Sequence, residues 1–163
     1  KGSFHFCGGS IIDKYTVITA AHCCTNFKPN EVKVVAGEHD LFVKSGDKQT
    51  VNVDHIIYHE LFESHRTNYD VCFLKLKSSL DLNDKVKAVS LPKKDEKFNG
   101  DVVVSGWGTL YAGGPSSDEL RAVAVQLVSD EECKDAYPGM IDDTMICAAA
   151  PQKDSYQGDS SIL

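Results

Sequence analysis

Three residue types in this sequence could together hydrolyse an acyl bond. Such chemistry needs a hydroxyl nucleophile, a histidine that takes its proton and a carboxylate that fixes the histidine tautomer. The 163 residues hold 14 serines, 6 histidines and 16 aspartates, so number alone selects no triad. Local context selects candidates for the histidine and the acid. "TVITAAHCC" places His22 after a β-branched run, and "TNYDVCFLKL" places Asp70 at the head of an apolar strand, where an acid near the core needs a partner.

The candidate nucleophile lies near the end of the sequence. "QGDSS" places Ser160 two residues after Gly158, and a glycine lets backbone N–H groups approach a substrate oxygen. Each of the three positions, taken alone, can also be read as an ordinary capped or surface residue.

The elements that must position these residues are short β-type runs separated by polar turns. Val51, Val53 and Ile57 share one parity, which predicts a half-buried strand. Many short strands at this spacing predict an all-β protein built as an antiparallel sandwich or barrel. The runs are "YTVIT", "EVKVVAG", "QTVNVDHII", "DVCFLKL", "DVVVSGWG", "LRAVAVQLV" and "TMICAAA".

One helix and one connection complete the organisation. "SDEECKDA" has the spacing of a capping box, with Ser129 as N-cap and Glu132 three residues on. The polar segment "LPKKDEKFNGD" carries proline, asparagine and glycine, and it predicts a connection between two sheet-rich halves, residues 1–90 and 91–163.

Charge and hydropathy exclude several classes of partner. The 17 lysines and arginines against 24 acids give a net charge of −7, which argues against binding to nucleic acid or to an acidic membrane surface. No apolar run approaches the roughly 18–20 residues that would span a bilayer. The opening "KGSFHFCGGS" has neither an initiating methionine nor an apolar signal core, so we interpret the sequence as a mature or partial chain.

Six cysteines are spread along the sequence rather than grouped in CxxC pairs. This spread favours disulfides and an oxidising compartment over a zinc site, and it predicts export from the cell. Six cysteines allow 15 pairings, and spacing alone does not choose among them.

Taken together, the motifs resemble a known family. "HFCGGSII", "TAAHC", "YDVCFLKL", "VSGWGTL", "MICAAA" and "KDSYQGDS" occur in the order and at about the spacing of the chymotrypsin-like serine proteases, most closely the trypsin branch. The resemblance covers essentially the whole sequence. It implies two six-stranded antiparallel β-barrels of the trypsin type, the first in residues 1–90 and the second, incomplete in this chain, in residues 91–163.

The resemblance also implies a role for each candidate residue. Ser160 would be the nucleophile, His22 the general base and then acid, and Asp70 the residue that orients His22. The backbone N–H groups of Gly158 and Ser160 would form the oxyanion hole.

Two further aspartates receive roles in the same way. Asp154 matches the carboxylate at the base of the primary specificity pocket, which implies cleavage after arginine or lysine. Asp159 matches the partner of the amine that activation frees in this family.

The implied protein is a secreted serine endopeptidase, digestive and monomeric. It would use no cofactor, act on protein or peptide substrates and bind protease inhibitors, with neither nucleic acid nor membrane as a partner. A non-catalytic homologue that acts as a binding or regulatory protein is the alternative. Ser161, Ile162 and Leu163 favour that alternative because the family has Gly-Gly-Pro there, and Tyr156 stands where the family has a cysteine. Since the family's chains extend beyond both ends of this sequence, we expect an internal fragment that is not active by itself.

The resemblance implies two disulfides, Cys7–Cys23 and Cys133–Cys147. Cys24 and Cys72 fall outside the family's common set. Cys24 closely follows His22 and Cys72 closely follows Asp70. Since the side chains of His22 and Asp70 must meet, we hypothesise a third bridge between Cys24 and Cys72. A metal site built from His22, Cys23 and Cys24 is disfavoured because adjacent residues do not easily converge on one tetrahedral ion.

The segment "GEHDLFVKSGDKQT" resembles a loop that binds calcium in many trypsins. Glu38 matches one ligand carboxylate, whereas Ser45 and Lys48 stand where the family often has two further acids. A hard cation needs oxygen ligands and negative charge, so we predict that this chain binds no calcium tightly.

Overall fold

The structure is a computed structural model, and it describes residues 4–66, 68–111 and 113–149. The segment 150–163 therefore lies outside the described residues, together with the predicted roles of Asp154, Gly158, Asp159 and Ser160. The strands are β1 Ser10–Asp13, β2 Thr16–Thr19, β3 Lys33–Ala36, β4 Gln49–Tyr58, β5 Cys72–Leu76, β6 Asp101–Gly106, β7 Arg121–Val128 and β8 Cys147–Ala149. The helical elements are the 3₁₀ turns Ala21–Cys23 and Pro29–Glu31 and the α-helix α1, Asp130–Ala136.

The predicted all-β class is confirmed, since the chain folds into two curled antiparallel sheets. The first sheet has the strand order β1-β2-β5-β4-β3, and the second has the order β6-β7-β8. Within the described residues the first sheet has five strands, and the second, which was expected to be incomplete, has three; neither closes fully into a barrel.

The long strand β4 is what curls the first sheet. Its first part pairs with β3, from Gln49 opposite Ala36 to Asn52 opposite Lys33. Its second part pairs with β5 instead. A ten-residue strand that changes partner halfway must bend, and the register shift between Val53 and His55 is a bulge that supplies the bend.

The bulge also changes which side chains of β4 are buried. Val51 and Val53 are buried as expected, at 7% and 0% exposure, but Ile57 is 51% exposed and the prediction for it was wrong. The extra residue at the bulge reverses the side of the sheet to which later side chains point. Ile56 therefore packs against the core in place of Ile57.

The core of the described chain lies inside the first sheet. Its most buried side chains include Val53, Val86 and Cys72, and valines and leucines of the paired strands surround them. These side chains fill the concave face of the sheet, so the strand ends that carry the candidate site residues rest on a packed interior.

In the second sheet, β6 pairs with β7 along the whole length of β6, from Asp101 opposite Gln126 to Gly106 opposite Arg121. The predicted helix begins where expected: Ser129 Oγ accepts a hydrogen bond from the backbone N–H of Glu132 at 3.3 Å, and the Glu132 carboxylate accepts one from the N–H of Ser129. The segment from Leu91 to Gly100 is exposed and irregular, as a connection would be. The domain boundary between residues 90 and 91 stays a prediction.

The two halves of the chain contact each other through loop residues outside the strands. The backbone N–H of Leu120 donates to the carbonyl of His39 at 2.7 Å, and the indole N–H of Trp107 donates to the same carbonyl at 3.1 Å. No helix in the described part of the chain is both long enough and apolar enough to cross a lipid bilayer.

Candidate active site

The exit of β2 presents His22 at the surface. All four residues of β2 are buried, and the chain then turns through the 3₁₀ segment Ala21–Cys23. Ala21 and Cys23 are buried, at 0% and 5% exposure, whereas the side chain of His22 between them is 49% exposed. The two small buried neighbours therefore anchor the backbone while the imidazole stays accessible.

Strand pairing brings Asp70 to the same place. β2 and β5 are antiparallel neighbours with Thr19 opposite Cys72, so the end of β2 meets the start of β5. Asp70 lies two residues before β5, 48 positions from His22. Its side chain is 22% exposed, so the acid lies at the edge of the core and not inside it.

The carboxylate of Asp70 contacts His22 with both oxygens. Oδ2 lies 2.7 Å from the imidazole Nδ1, and Oδ1 accepts a 2.8 Å hydrogen bond from the backbone N–H of His22. This two-point contact holds the ring in one orientation. When the imidazole carries its proton on Nδ1, the contact satisfies that proton and leaves Nε2 as a base.

The backbone just before Asp70 is unusual. Tyr69 has a φ of 52°, a left-handed conformation that is uncommon for a large side chain. Its ring stacks on His59 at a centroid distance of 4.7 Å, and its backbone N–H donates to Thr144 Oγ1 at 3.2 Å. These contacts offset the strain and set the direction from which Asp70 enters the site.

Thr144 belongs to a turn that supports the Asp70 segment from the other half of the chain. The carboxylate of Asp142 accepts hydrogen bonds from Thr144 Oγ1 and from the Thr144 backbone N–H, the latter at 2.8 Å. These bonds favour the ionised acid and lower the pKa of Asp142. Sequence reasoning missed Tyr69, Asp142 and Thr144, because no local pattern indicates a contact across 75 positions.

The structure contains three disulfides, Cys7–Cys23, Cys24–Cys72 and Cys133–Cys147, and the described residues include no free cysteine. Two of these bridges are formed by the residues directly after His22, Cys23 and Cys24. The segment that carries His22 is therefore cross-linked twice.

The disulfides also weigh against a metal ion at His22. One cluster of possible ligands is found in the described residues, formed by Cys7, His22 and Cys23. Its two sulfurs are bonded to each other, so neither is a thiolate that could bind zinc. Cys24 is likewise engaged, with Cys72.

The loop around Glu38 does not fit a calcium ion. The Glu38 side chain is only 2% exposed, and Lys48 Nζ lies 3.0 Å from its Oε2, at the distance of an ion pair. Ser45 Oγ donates to Oε1 at 3.4 Å. Oε2 has no well-aligned hydrogen-bond donor, so the lysine compensates it mainly by charge. An ammonium group held at the buried carboxylate is the opposite of what a hard cation requires.

An all-β fold with a histidine and an aspartate paired at a strand end is typical of serine endopeptidases that use a catalytic triad. The comparisons with known proteins agree with this class. The model of the Trypsin family matches residues 1–160. The chain is 45% identical over 164 residues to Trypsin-1 of Astacus astacus, covering 97% of this chain and 69% of that protein.

Two vertebrate relatives give the same result. Serine protease 1 of Rattus norvegicus is 39% identical over 163 residues, covering 98% of this chain and 65% of that protein. Trypsin of Sus scrofa is 38% identical over 159 residues, covering 96% and 67%. The chain belongs to the trypsin family of serine endopeptidases, and it spans about two thirds of the length of these relatives.

Proposed function

We propose that this protein is a trypsin-like serine endopeptidase that hydrolyses peptide bonds after arginine and lysine. The observation that carries the proposal is the His22–Asp70 pair, in which both carboxylate oxygens contact the histidine at 2.7 and 2.8 Å. Such a pair is the acid–base half of a triad, and Ser160 is its nucleophile by sequence position.

The reaction has two stages. In acylation, His22 Nε2 takes the hydroxyl proton of Ser160 while Oγ attacks the substrate carbonyl carbon, and the same proton then passes to the leaving amine. The backbone N–H groups of Gly158 and Ser160 stabilise the oxyanion. In deacylation, water attacks the acyl-enzyme and the proton transfers run through His22 again. Asp70 holds the Nδ1 proton throughout and stabilises the imidazolium, and no cofactor takes part.

Two aspartates outside the described residues complete the proposal. Asp154 binds the guanidinium or ammonium group of the substrate at the base of the specificity pocket. Asp159 pairs with the chain amine that activation frees, which holds the segment around Ser160 in its active shape.

The proposed setting is extracellular and digestive, and the protein acts as a monomer on dietary proteins or peptides. The three disulfides support an oxidising compartment. The net charge of −7 is unfavourable for nucleic acid and for acidic membranes. Protease inhibitors that present an arginine or lysine to the Asp154 pocket are expected to bind the same site. In this proposal residues 1–90 form the first barrel-type domain and residues 91–163 form part of the second.

The test is labelling by a serine-directed phosphonate of the protein expressed from its complete coding sequence and activated. Ser160→Ala and His22→Ala serve as matched controls. We expect stoichiometric labelling of the parent protein, none of Ser160→Ala and little of His22→Ala, because the serine is a poor nucleophile without its base. The Ser161–Leu163 segment favours the non-catalytic alternative, and a folded parent protein that takes no label would establish that alternative instead.

Specificity is tested separately. Asp154→Ser should lose most activity on arginine and lysine amides while the protein stays folded by circular dichroism. Unchanged preference would show that another residue forms the base of the pocket.

A further inference from the structure

We propose that the Cys24–Cys72 disulfide is a positioning cross-link that holds His22 against Asp70 in the geometry needed for proton transfer. The inference rests on the proposed function of these two residues. Cys24 and Cys72 are positioning residues, because they act on the acid–base pair through the backbone and touch no reacting atom.

The cross-link and the acid–base pair have the same spacing in the sequence. Cys24 follows His22 by two residues, and Cys72 follows Asp70 by two. Both pairs therefore span 48 positions, one through a 2.7 Å contact and the other through a covalent bond. Sliding of one segment along the other would therefore have to distort the disulfide as well as the contact.

The disulfide is anchored in the buried core of the first sheet. Cys24 is 3% exposed and Cys72 is 0% exposed, and both belong to the cluster of buried side chains that fills the first sheet. Cys72 is also the first residue of β5, where it lies opposite Thr19 of β2. The histidine segment is thus tied to a point whose position the sheet determines.

Beyond the pairing of β2 with β5 and the contacts of Asp70 itself, the turn that carries His22 adds few restraints on its position relative to Asp70. His22 lies in a 3₁₀ turn of three residues, whose N-cap Ala20 provides no side-chain hydrogen bond. The bridge from Cys23 runs to Cys7, and so it leaves the Asp70 segment free. Among the three disulfides of the described residues, Cys24–Cys72 is the one that joins the two segments that carry His22 and Asp70.

A disulfide of this loop length would also stabilise the fold by restricting the unfolded chain. The two roles make different predictions. Stabilisation alone changes the unfolding temperature and leaves the turnover of folded molecules untouched. Positioning changes turnover in molecules that are fully folded, because small displacements of an acid–base group slow the chemical step strongly.

The experiment compares two cysteine-pair variants in the protein expressed from its complete coding sequence. One is Cys24→Ala with Cys72→Ala, and the matched control is Cys133→Ala with Cys147→Ala, which removes a bridge far from His22 in sequence. Both are assayed on an arginine amide at a temperature where circular dichroism shows each to be folded. We expect kcat of the first variant to fall roughly 10- to 100-fold with KM unchanged, and kcat of the control, whose loop contacts the Asp70 segment at the backbone of Tyr69, to fall by a clearly smaller factor.

A second readout follows the pair directly. The proton between His22 Nδ1 and Asp70 gives a low-field NMR signal when the contact is short and ordered, and His22→Ala identifies it. We expect this signal to broaden or vanish in the first variant and to persist in the control. A kcat within 2-fold of the parent, or an unchanged signal, overturns the proposal.

An inactive parent protein and a variant that does not fold each have a separate consequence. An inactive parent protein would overturn the proposed function, while the NMR signal would still test whether the bridge positions the pair. If the double alanine variant does not fold, Cys24→Val with Cys72→Ala refills the buried volume without the covalent link and is judged by the same criteria.

Discussion

Replacing Asp70 by asparagine is the sharpest test of the site, because the structure fixes how the new side chain must lie. The backbone N–H of His22 donates to Oδ1 at 2.8 Å, and an amide can accept that bond only through its oxygen. The amide NH₂ group then faces Nδ1 at the position of Oδ2, 2.7 Å away. A donor at this position requires an unprotonated Nδ1, so the proton moves to Nε2 and His22 can no longer accept one from Ser160.

The expected magnitude follows from this wrong tautomer. The corresponding change in the chymotrypsin family, which is the standard worked example of the triad, lowers kcat by about 10⁴-fold, or about 5 kcal/mol. We expect a loss of the same order here, because the geometry that causes it is present. The fold should be retained, since both hydrogen-bonding positions stay occupied.

The assay is kcat/KM on an arginine amide at neutral pH, with the exposed Asp84→Asn as the matched control. Asp84→Asn should stay within about 2-fold of the parent, as a surface substitution away from the site usually does. A loss below tenfold for Asp70→Asn in a folded protein would refute the argument, because it would mean that Asp70 does not set the tautomer of His22.

Other predictions concern the loop at Glu38 and the turn at Asp142. Lys48→Met should lower the free energy of unfolding by about 3 kcal/mol in urea titrations, since it leaves the buried Glu38 unpaired; Lys44→Met, an exposed change in the same loop, should have little effect. Isothermal titration of the parent should show no micromolar calcium binding, and such binding would contradict the assigned role of Lys48. Because hydrogen bonds lower the pKa of Asp142 from 3.8, its stabilising effect should be complete above that pH and disappear as the pH falls through the lowered value. The difference in melting temperature between the parent and Asp142→Asn should therefore shrink between pH 5 and pH 2, and a constant difference would speak against it.

Much of the fold could be predicted because its signals are local. The alternating strand pattern, the capping box at Ser129 and the polar connection after Leu91 are each read within about ten residues, and the structure has these features. The parity of β4 failed at Ile57 because the bulge near Asp54 arises from pairing with β5, and pairing is not a property of the strand alone.

In the candidate site, too, local features could be predicted and long-range contacts could not. His22 and Asp70 could be chosen from their motifs, and the Cys24–Cys72 bridge could be hypothesised from its place beside them. The support that Tyr69 and Thr144 give to the Asp70 segment could not be predicted. A left-handed tyrosine and a contact between the two halves of the chain leave no pattern in the sequence.

The sequence by itself determined which residue types stand in which order, and from that order the family, the class of chemistry and the candidate triad. Only the tertiary structure decided which of these groups meet: His22 with Asp70 at 2.7 Å, Lys48 with Glu38 at 3.0 Å, and Thr144 with the backbone of Tyr69. The physical reason is that such contacts depend on strand register and on the packing of a shared core, which are properties of the whole chain and not of any segment.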